Sequence, residues 1–142
     1  MILLIYICAS FYGSSALAQV TVNKNVNTQP LIIEGTTRGS VAAAKITQIE
    51  KTATGYCDGF TSRKPNHVLT IDKFFSSLRL EVESIADTTI IVRGATGIWC
   101  NDDANNANPV IEGAWQPGMY QVWVGTYQEG SNNSYRLKIT GQ

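Results

Sequence analysis

From residue 67 to the C-terminus the apolar positions recur every second residue, the period of a strand with one buried face. His67, Leu69 and Ile71 share a face. Leu78, Leu80 and Val82 alternate with Arg79, Glu81 and Glu83. Residues 88–93 are β-branched and nearly continuous, as in an inner strand. Residues 94–97, GATG, read as a hairpin turn, and residues 98–100 as the returning strand. Residues 110–115 form a short strand turned by Gln116-Pro117-Gly118. Tyr120, Val122 and Val124 then oppose Gln121, Trp123 and Gly125, and Tyr135, Leu137 and Ile139 oppose Arg136 and Lys138.

Upstream the pattern is weaker. Residues 31–33 are a short apolar strand stopped at Gly35. Residues 41–50, VAAAKITQIE, carry the only helical spacing, although Ile46 and Ile49 fit a strand nearly as well. Residues 51–66 are a polar, Gly- and Thr-containing loop holding Cys57. Residues 19–30, QVTVNKNVNTQP, show no apolar face beyond Val20 and Val22 and read as an extended segment. These elements predict one all-β domain over 35–142, an antiparallel β-sandwich or jelly roll of about eight strands. An extended N-terminal arm over 19–34 precedes it.

Residues 1–18 contain no charged side chain. Their apolar run, 2–7, leads through small residues to Ala16-Leu17-Ala18, an A-x-A cleavage signal before Gln19. The run is too short for a membrane span and is broken by Ser10, Gly13, Ser14 and Ser15. Bulky Ile7 before Cys8 speaks against a lipid anchor. Residues 1–18 are therefore read as a signal peptide, although a basic n-region is missing. The protein is expected to be secreted, with no stable membrane insertion.

Eleven Lys and Arg against eleven Asp and Glu leave no net charge, so the chain offers no field for nucleic acid or an anionic membrane surface. Beyond the signal two cysteines remain, Cys57 and Cys100. In an exported chain an isolated pair is most simply a disulfide, and closing this loop is worth about 4 kcal/mol in chain entropy. Two free thiols or half a zinc shell are the alternative, with a single histidine to complete it.

The densest cluster of oxygen side chains is NDDANNANP, residues 101–109. A hard cation such as Ca²⁺ takes six to eight oxygens from a bent loop. With Asn101 as position 1, Asp103, Asn105 and Glu112 fall at positions 3, 5 and 12 of an EF-hand-like count, and Asp102 adds a carboxylate. Asp87 precedes the inner strand, where it either caps a turn or is brought toward the 101–105 loop by the 94–97 hairpin. The alternative is a solvated turn in which Asn and Asp bond their own backbone. His67 is the sole histidine, it shares a face with Leu69 and Ile71, and no G-x-S-x-G elbow follows the signal. A partly buried, hydrogen-bonded histidine fits that pattern better than a general base. Trp99, Trp115, Trp123, Tyr120 and Tyr127 either fill the core or form a platform for sugar rings. Trp123, opposite the Val122 and Val124 row, is expected to be exposed, which makes Trp123, Trp99 and Tyr127 the ligand-binding candidates.

The run formed by residues 87–94 (DTTIIVRG), 99–103 (WCNDD), 108–111 (NPVI), 115–127 (WQPGMYQVWVGTY) and 135–139 (YRLKI) resembles bacterial pre-peptidase C-terminal domains. In particular it is similar to stand-alone secreted forms from cyanobacteria and other Gram-negative bacteria. The resemblance covers about residues 35–140. It implies a secreted antiparallel β-sandwich acting as an accessory or binding module, with calcium sites in some members. The chain departs from that family in carrying no peptidase and in its arm.

The expected function is a secreted, non-catalytic, Ca²⁺-binding module for extracellular binding or adhesion, with a polysaccharide or matrix protein as partner. The alternative is a structural subunit. An arm over 19–34 that adds as a strand to the next copy builds a head-to-tail filament, whereas an arm that folds back covers its own edge.

Overall fold

In the structure, a computed structural model describing residues 17, 19–102 and 108–142, the alternating segments become strands. In chain order they are β1 (Gln19–Val22), β2 (Leu31–Thr36), β3 (Val41–Ala42), β4 (Lys51–Thr52), β5 (Gly55–Tyr56), β6 (Phe60–Thr61), β7 (His67–Ile71), β8 (Phe75–Glu83), β9 (Thr88–Gly94), β10 (Gly97–Asn101), β11 (Val110–Trp115), β12 (Gly118–Thr126) and β13 (Ser134–Gly141). A 3₁₀ turn (Lys24–Asn27) follows β1, and a short helix, α1 (Ala43–Thr47), follows β3. The count exceeds the eight expected. The additional strands are β1 and the two-residue pieces between 41 and 61, too short to show a period.

Two sheets make the sandwich. The larger has seven strands in the order β1-β7-β12-β6-β3, with β9 also on β12 and β10 on β9. The smaller runs β11-β8-β13-β2. The core lies between them. Leu69, Ile71, Ile90, Val92, Val122 and Val124 come from the larger sheet, and Leu78, Leu80, Val82, Leu137 and Ile139 from the smaller. These are the inward rows of the alternating pattern, so the all-β sandwich is as the sequence predicts. β12 is the organising strand. β7 pairs with its first half and β6 meets it only at Thr126. Asn66 bridges the gap: its N–H donates to the Val122 carbonyl (2.8 Å) and its Oδ1 accepts from the Val124 N–H (2.9 Å). One residue, through its backbone N–H and its side chain, thus stands in for a missing stretch of strand.

The reading of 19–34 as an arm apart from the sandwich needs correction. β1 pairs in parallel with β7, and β2 pairs antiparallel with β13. Val22 and Val26 are members of the main core. Parallel pairing with a distant strand leaves no mark in the local sequence, so the segment looked unanchored. The signal peptide reading falls, apart from Leu17, on residues outside those described. No described helix is long and apolar enough to cross a membrane.

The outer face of the larger sheet is covered as well. A cross-strand row of Trp123, Ile91 and Cys100 lies there. Segment 41–61 folds over it, adding Ala43, Cys57 and Ile46 to a second apolar cluster. The expected disulfide is present, Cys57–Cys100, with 5.1 Å between Cα atoms. The helical reading of 41–50 holds only for α1, which stops where Gln48 takes a left-handed conformation (φ 62°). Arg93 donates to the Ile46 carbonyl and lies over the Trp123 ring at 5.3 Å. Thr52 and Thr54 then cap the open edge of β10. The Thr52 hydroxyl accepts from the Cys100 N–H (3.0 Å), and the Thr54 hydroxyl donates to the Cys100 carbonyl (2.8 Å). An edge strand that would offer unpaired backbone is thereby closed.

Candidate functional site

The described members of the proposed calcium set do not gather in one place. Asn101 is a structural staple: its Nδ2 donates to the Thr54 carbonyl (2.8 Å) and its Oδ1 accepts from the Val110 N–H (3.1 Å). Glu112 sits on the outward row of β11, opposite Arg79. There it takes an ion pair from Arg79 at 3.1 Å and a hydrogen bond from the Ser77 hydroxyl at 3.3 Å. The EF-hand-like count fails at Glu112 because 110–115 is a strand, which points residue 112 away from the turn, and at Asn101 because its carboxamide is engaged by the backbone of Thr54 and Val110. Asp87 is exposed and its carbonyl accepts from the Tyr127 N–H (3.0 Å). The register that pairs Asn101 with Ile90 sets Asp87 beyond the paired end. Asp102 is half-buried. Asp103 and Asn105 lie outside the described residues. Among the described residues no three His, Cys, Asp or Glu side chains cluster as a metal site requires.

The aromatic candidates also separate. Trp123 is only 2 % exposed, because segment 41–61 covers its face, and its Nε1–H donates to the Arg63 carbonyl (3.3 Å). It is core, not platform. Tyr127 is exposed, but it follows Thr126, which pairs with the start of β9, whereas Trp99 pairs with Val92 near the other end of that strand. The two share no surface. Trp99 is half-buried and clusters with two of the other aromatic residues the sequence offers, Trp115 and Tyr120. Its ring stacks on Trp115 at 6.1 Å and lies 6.4 Å from Tyr120, with Trp115 and Tyr120 at 4.9 Å.

This trio lines a slot of about 180 Å³ between the β10 edge of one sheet and the β11 edge of the other. Gly113 lies on its wall. It falls on the inward row of β11, opposite Leu78, and a Cβ built there would meet no atom within 4 Å. A glycine in a strand with empty space above it marks a place where something else approaches. A second, wider groove of about 870 Å³ lies at one end of the smaller sheet, beside Glu34, Glu83, Arg136 and the fully exposed Ile85.

His67 is placed as its neighbours in sequence predict. It is half-buried, and its Nε2 lies 2.7 Å from the Tyr135 hydroxyl across the sandwich. Burial lowers its pKa below the ordinary 6.5. Burial also pushes the Tyr135 phenol well above its usual range, against the smaller opposing effect of the Asn66 hydrogen bond. Both groups are therefore neutral near pH 7. A histidine whose folded pKa lies below its unfolded value binds a proton more readily once unfolded. Its contribution to stability is complete above pH 6.5 and is lost as pH falls below that value, levelling off under the folded pKa. The melting temperature is expected to drop on acidification from pH 7.5 to 5. The drop should shrink in His67→Gln, measured by circular dichroism; equal slopes for both proteins would assign the acid sensitivity elsewhere.

No family model matches the chain. An uncharacterized protein of Synechococcus elongatus is 27 % identical over 88 residues, which is 59 % of this chain. The match spans 65 % of that protein's length. Two solved structures are similar in fold. One is the pre-peptidase C-terminal domain of collagenase from Bacillus anthracis, at 12 % identity and a TM-score of 0.49, covering 90 % of this chain and 100 % of that one. The other is PliG from Aeromonas hydrophila, a periplasmic inhibitor of g-type lysozyme, at 12 % identity and a TM-score of 0.50, covering 89 % and 97 %. At the level of fold, the chain is a β-sandwich, an architecture it shares with PliG.

Proposed function

We propose that this chain is an exported, non-catalytic module that binds an extracellular polysaccharide or matrix protein. One contrast carries the reading: the single histidine is desolvated against Tyr135 between the sheets, while aromatic side chains line a slot open at the surface. Catalysis would want the reverse, a titratable group in the cleft. The Cys57–Cys100 bridge fits an oxidising compartment. PliG supports the reading in a limited way, as a β-sandwich whose name denotes inhibition of a lysozyme, a binding task. The calcium expectation enters in reduced form, on Asp102, Asp103 and Asn105, since Asn101 and Glu112 serve other contacts. The test is cosedimentation of the mature protein with insoluble polysaccharides and with immobilised matrix protein, in excess Ca²⁺ and in chelator. Depletion from solution by at least one polymer is expected, weakened by chelator. No depletion under either condition ends the binding reading, and depletion indifferent to chelator ends the calcium part. Hydrolysis of a peptide or glycoside that disappears in His67→Ala would overturn the non-catalytic assignment.

A further inference from the structure

The geometry points to the slot between β10 and β11 as the subsite for one neutral pyranose ring, presented by the end of a glycan chain. This rests on the binding reading above and assigns it a place and a ligand class. The floor supplies the first argument. Trp115 and Tyr120 are almost fully buried, and Trp99 is the member of the trio that retains accessible ring surface. The C–H face of a sugar ring packs on such a surface as any apolar group does, with water released from both.

The rim supplies the second argument. The Thr96 hydroxyl and the Gln116 carboxamide are exposed at the mouth, and Thr54 borders it. The Thr54 hydroxyl donates to the Cys100 carbonyl and lies 3.1 Å from the Thr52 hydroxyl, which leaves it one lone pair to accept with. These groups offer donors and acceptors without charge, which matches sugar hydroxyls. Glu112, the one carboxylate among the described residues of the lining, already pairs with Arg79 and Ser77. A cationic ligand would have to displace that pair, and an anionic one would face the carboxylate, so a neutral ligand fits best.

Size supplies the third argument. About 180 Å³ holds one six-membered ring but not a run of them. The ligand therefore enters end-on. The open space at Gly113 is part of that volume, and Gly113 does not adopt the left-handed backbone conformation that only glycine tolerates well. A side chain there fills the slot without straining the strand. The wider groove near Ile85 lacks this aromatic floor: its one aromatic lining residue, Tyr135, is buried in the core.

The experiment follows tryptophan fluorescence of the mature protein during titration with glucose, galactose, mannose and N-acetylglucosamine and their disaccharides. A saturable change with at least one neutral sugar is expected. Gly113→Val should weaken it about tenfold or more while leaving the melting temperature unchanged or raised. Trp99→Phe should weaken it as well, and the responding sugar should release the protein from any polymer it sediments with. A full response retained in Gly113→Val overturns the assignment, as does silence of the unmodified protein toward every sugar tested. The two readings part cleanly: if the unmodified protein and Gly113→Val sediment equally with a polymer, binding stands and the slot is wrong. If nothing sediments, the parent reading falls on its own test.

Discussion

Deleting residues 19–30 is expected to unfold the domain. The segment carries β1 and the 3₁₀ turn, and it places Val22 and Val26 in the main core, at 0 % and 5 % exposure. Burial of a valine is worth about 1.5–3 kcal/mol, so the two side chains alone contribute roughly 3–6 kcal/mol. A domain of this size is stable by only about 5–15 kcal/mol in total. The deletion also bares the β7 edge, since β1 covers residues 68–71 in parallel register. The turn is closely fitted too: a Cβ on Gly141 would lie 2.3 Å from the Asn27 Oδ1. The truncated chain should lose its cooperative melting transition or aggregate. A melt within a few degrees of the full-length protein would show the segment to be dispensable, as a free arm would be. Strand donation between copies meets the same arithmetic, because each subunit would first have to vacate its own core. The mature protein is therefore expected to run as a monomer in light scattering at high concentration, and fibres that vanish with the segment would revive the filament alternative.

The parts of the structure that alternate were legible, and the parts that pair at a distance were not. Leu78, Leu80 and Val82, Tyr120, Val122 and Val124, and Tyr135, Leu137 and Ile139 all face inward as their period requires. The same rule put Trp123 on the opposite face, correctly. The error was to equate that face with solvent. Trp123, Ile91 and Cys100 form one cross-strand row, so a bridge from Cys57 to Cys100 obliges the polar 51–66 loop to lie over the tryptophan. The bridge was legible in the sequence, but the register that sets Cys100 in one row with Trp123 was not, and that register is what buries Trp123. Glu112 teaches the same lesson: a ligand count along a loop must stop where a strand begins. Gly113 was harder. A glycine within a short strand signals a close approach or an opening. Only the placement of Trp99, Trp115 and Tyr120 around it shows which. The parallel β1–β7 pairing had no local signal at all, since register between distant strands is decided by burial of the finished core.

Replacing Cys57 and Cys100 together by alanine is expected to cost about 4 kcal/mol through the chain entropy released to the unfolded state, given a separation of 43 residues. For a chain of this length that lowers the melting temperature by roughly 10–15 °C. The loss should not be uniform. The bridge pins segment 41–61 on the outer face of the larger sheet, and few other attachments hold it there. They are the pairing of β6 with β12 at Thr126, the Thr52 and Thr54 hydroxyls on Cys100, the Asn101 carboxamide on Thr54 and Arg93 on Ile46. Without the bridge this flap should open below the global transition, since local units open at free energies set by their own contacts. Opening exposes Ile91 and Trp123 and bares the edge of β10. Three readouts should move together: earlier proteolytic cleavage between residues 41 and 61, a red shift of tryptophan emission, and concentration-dependent aggregation through the uncovered edge. The sandwich core, which the bridge does not touch, should keep its far-ultraviolet strand signal until the main transition. A melting temperature within two or three degrees of the unmodified protein, with no early cleavage in 41–61, would mean that packing alone holds the flap and that the bridge is incidental to the fold.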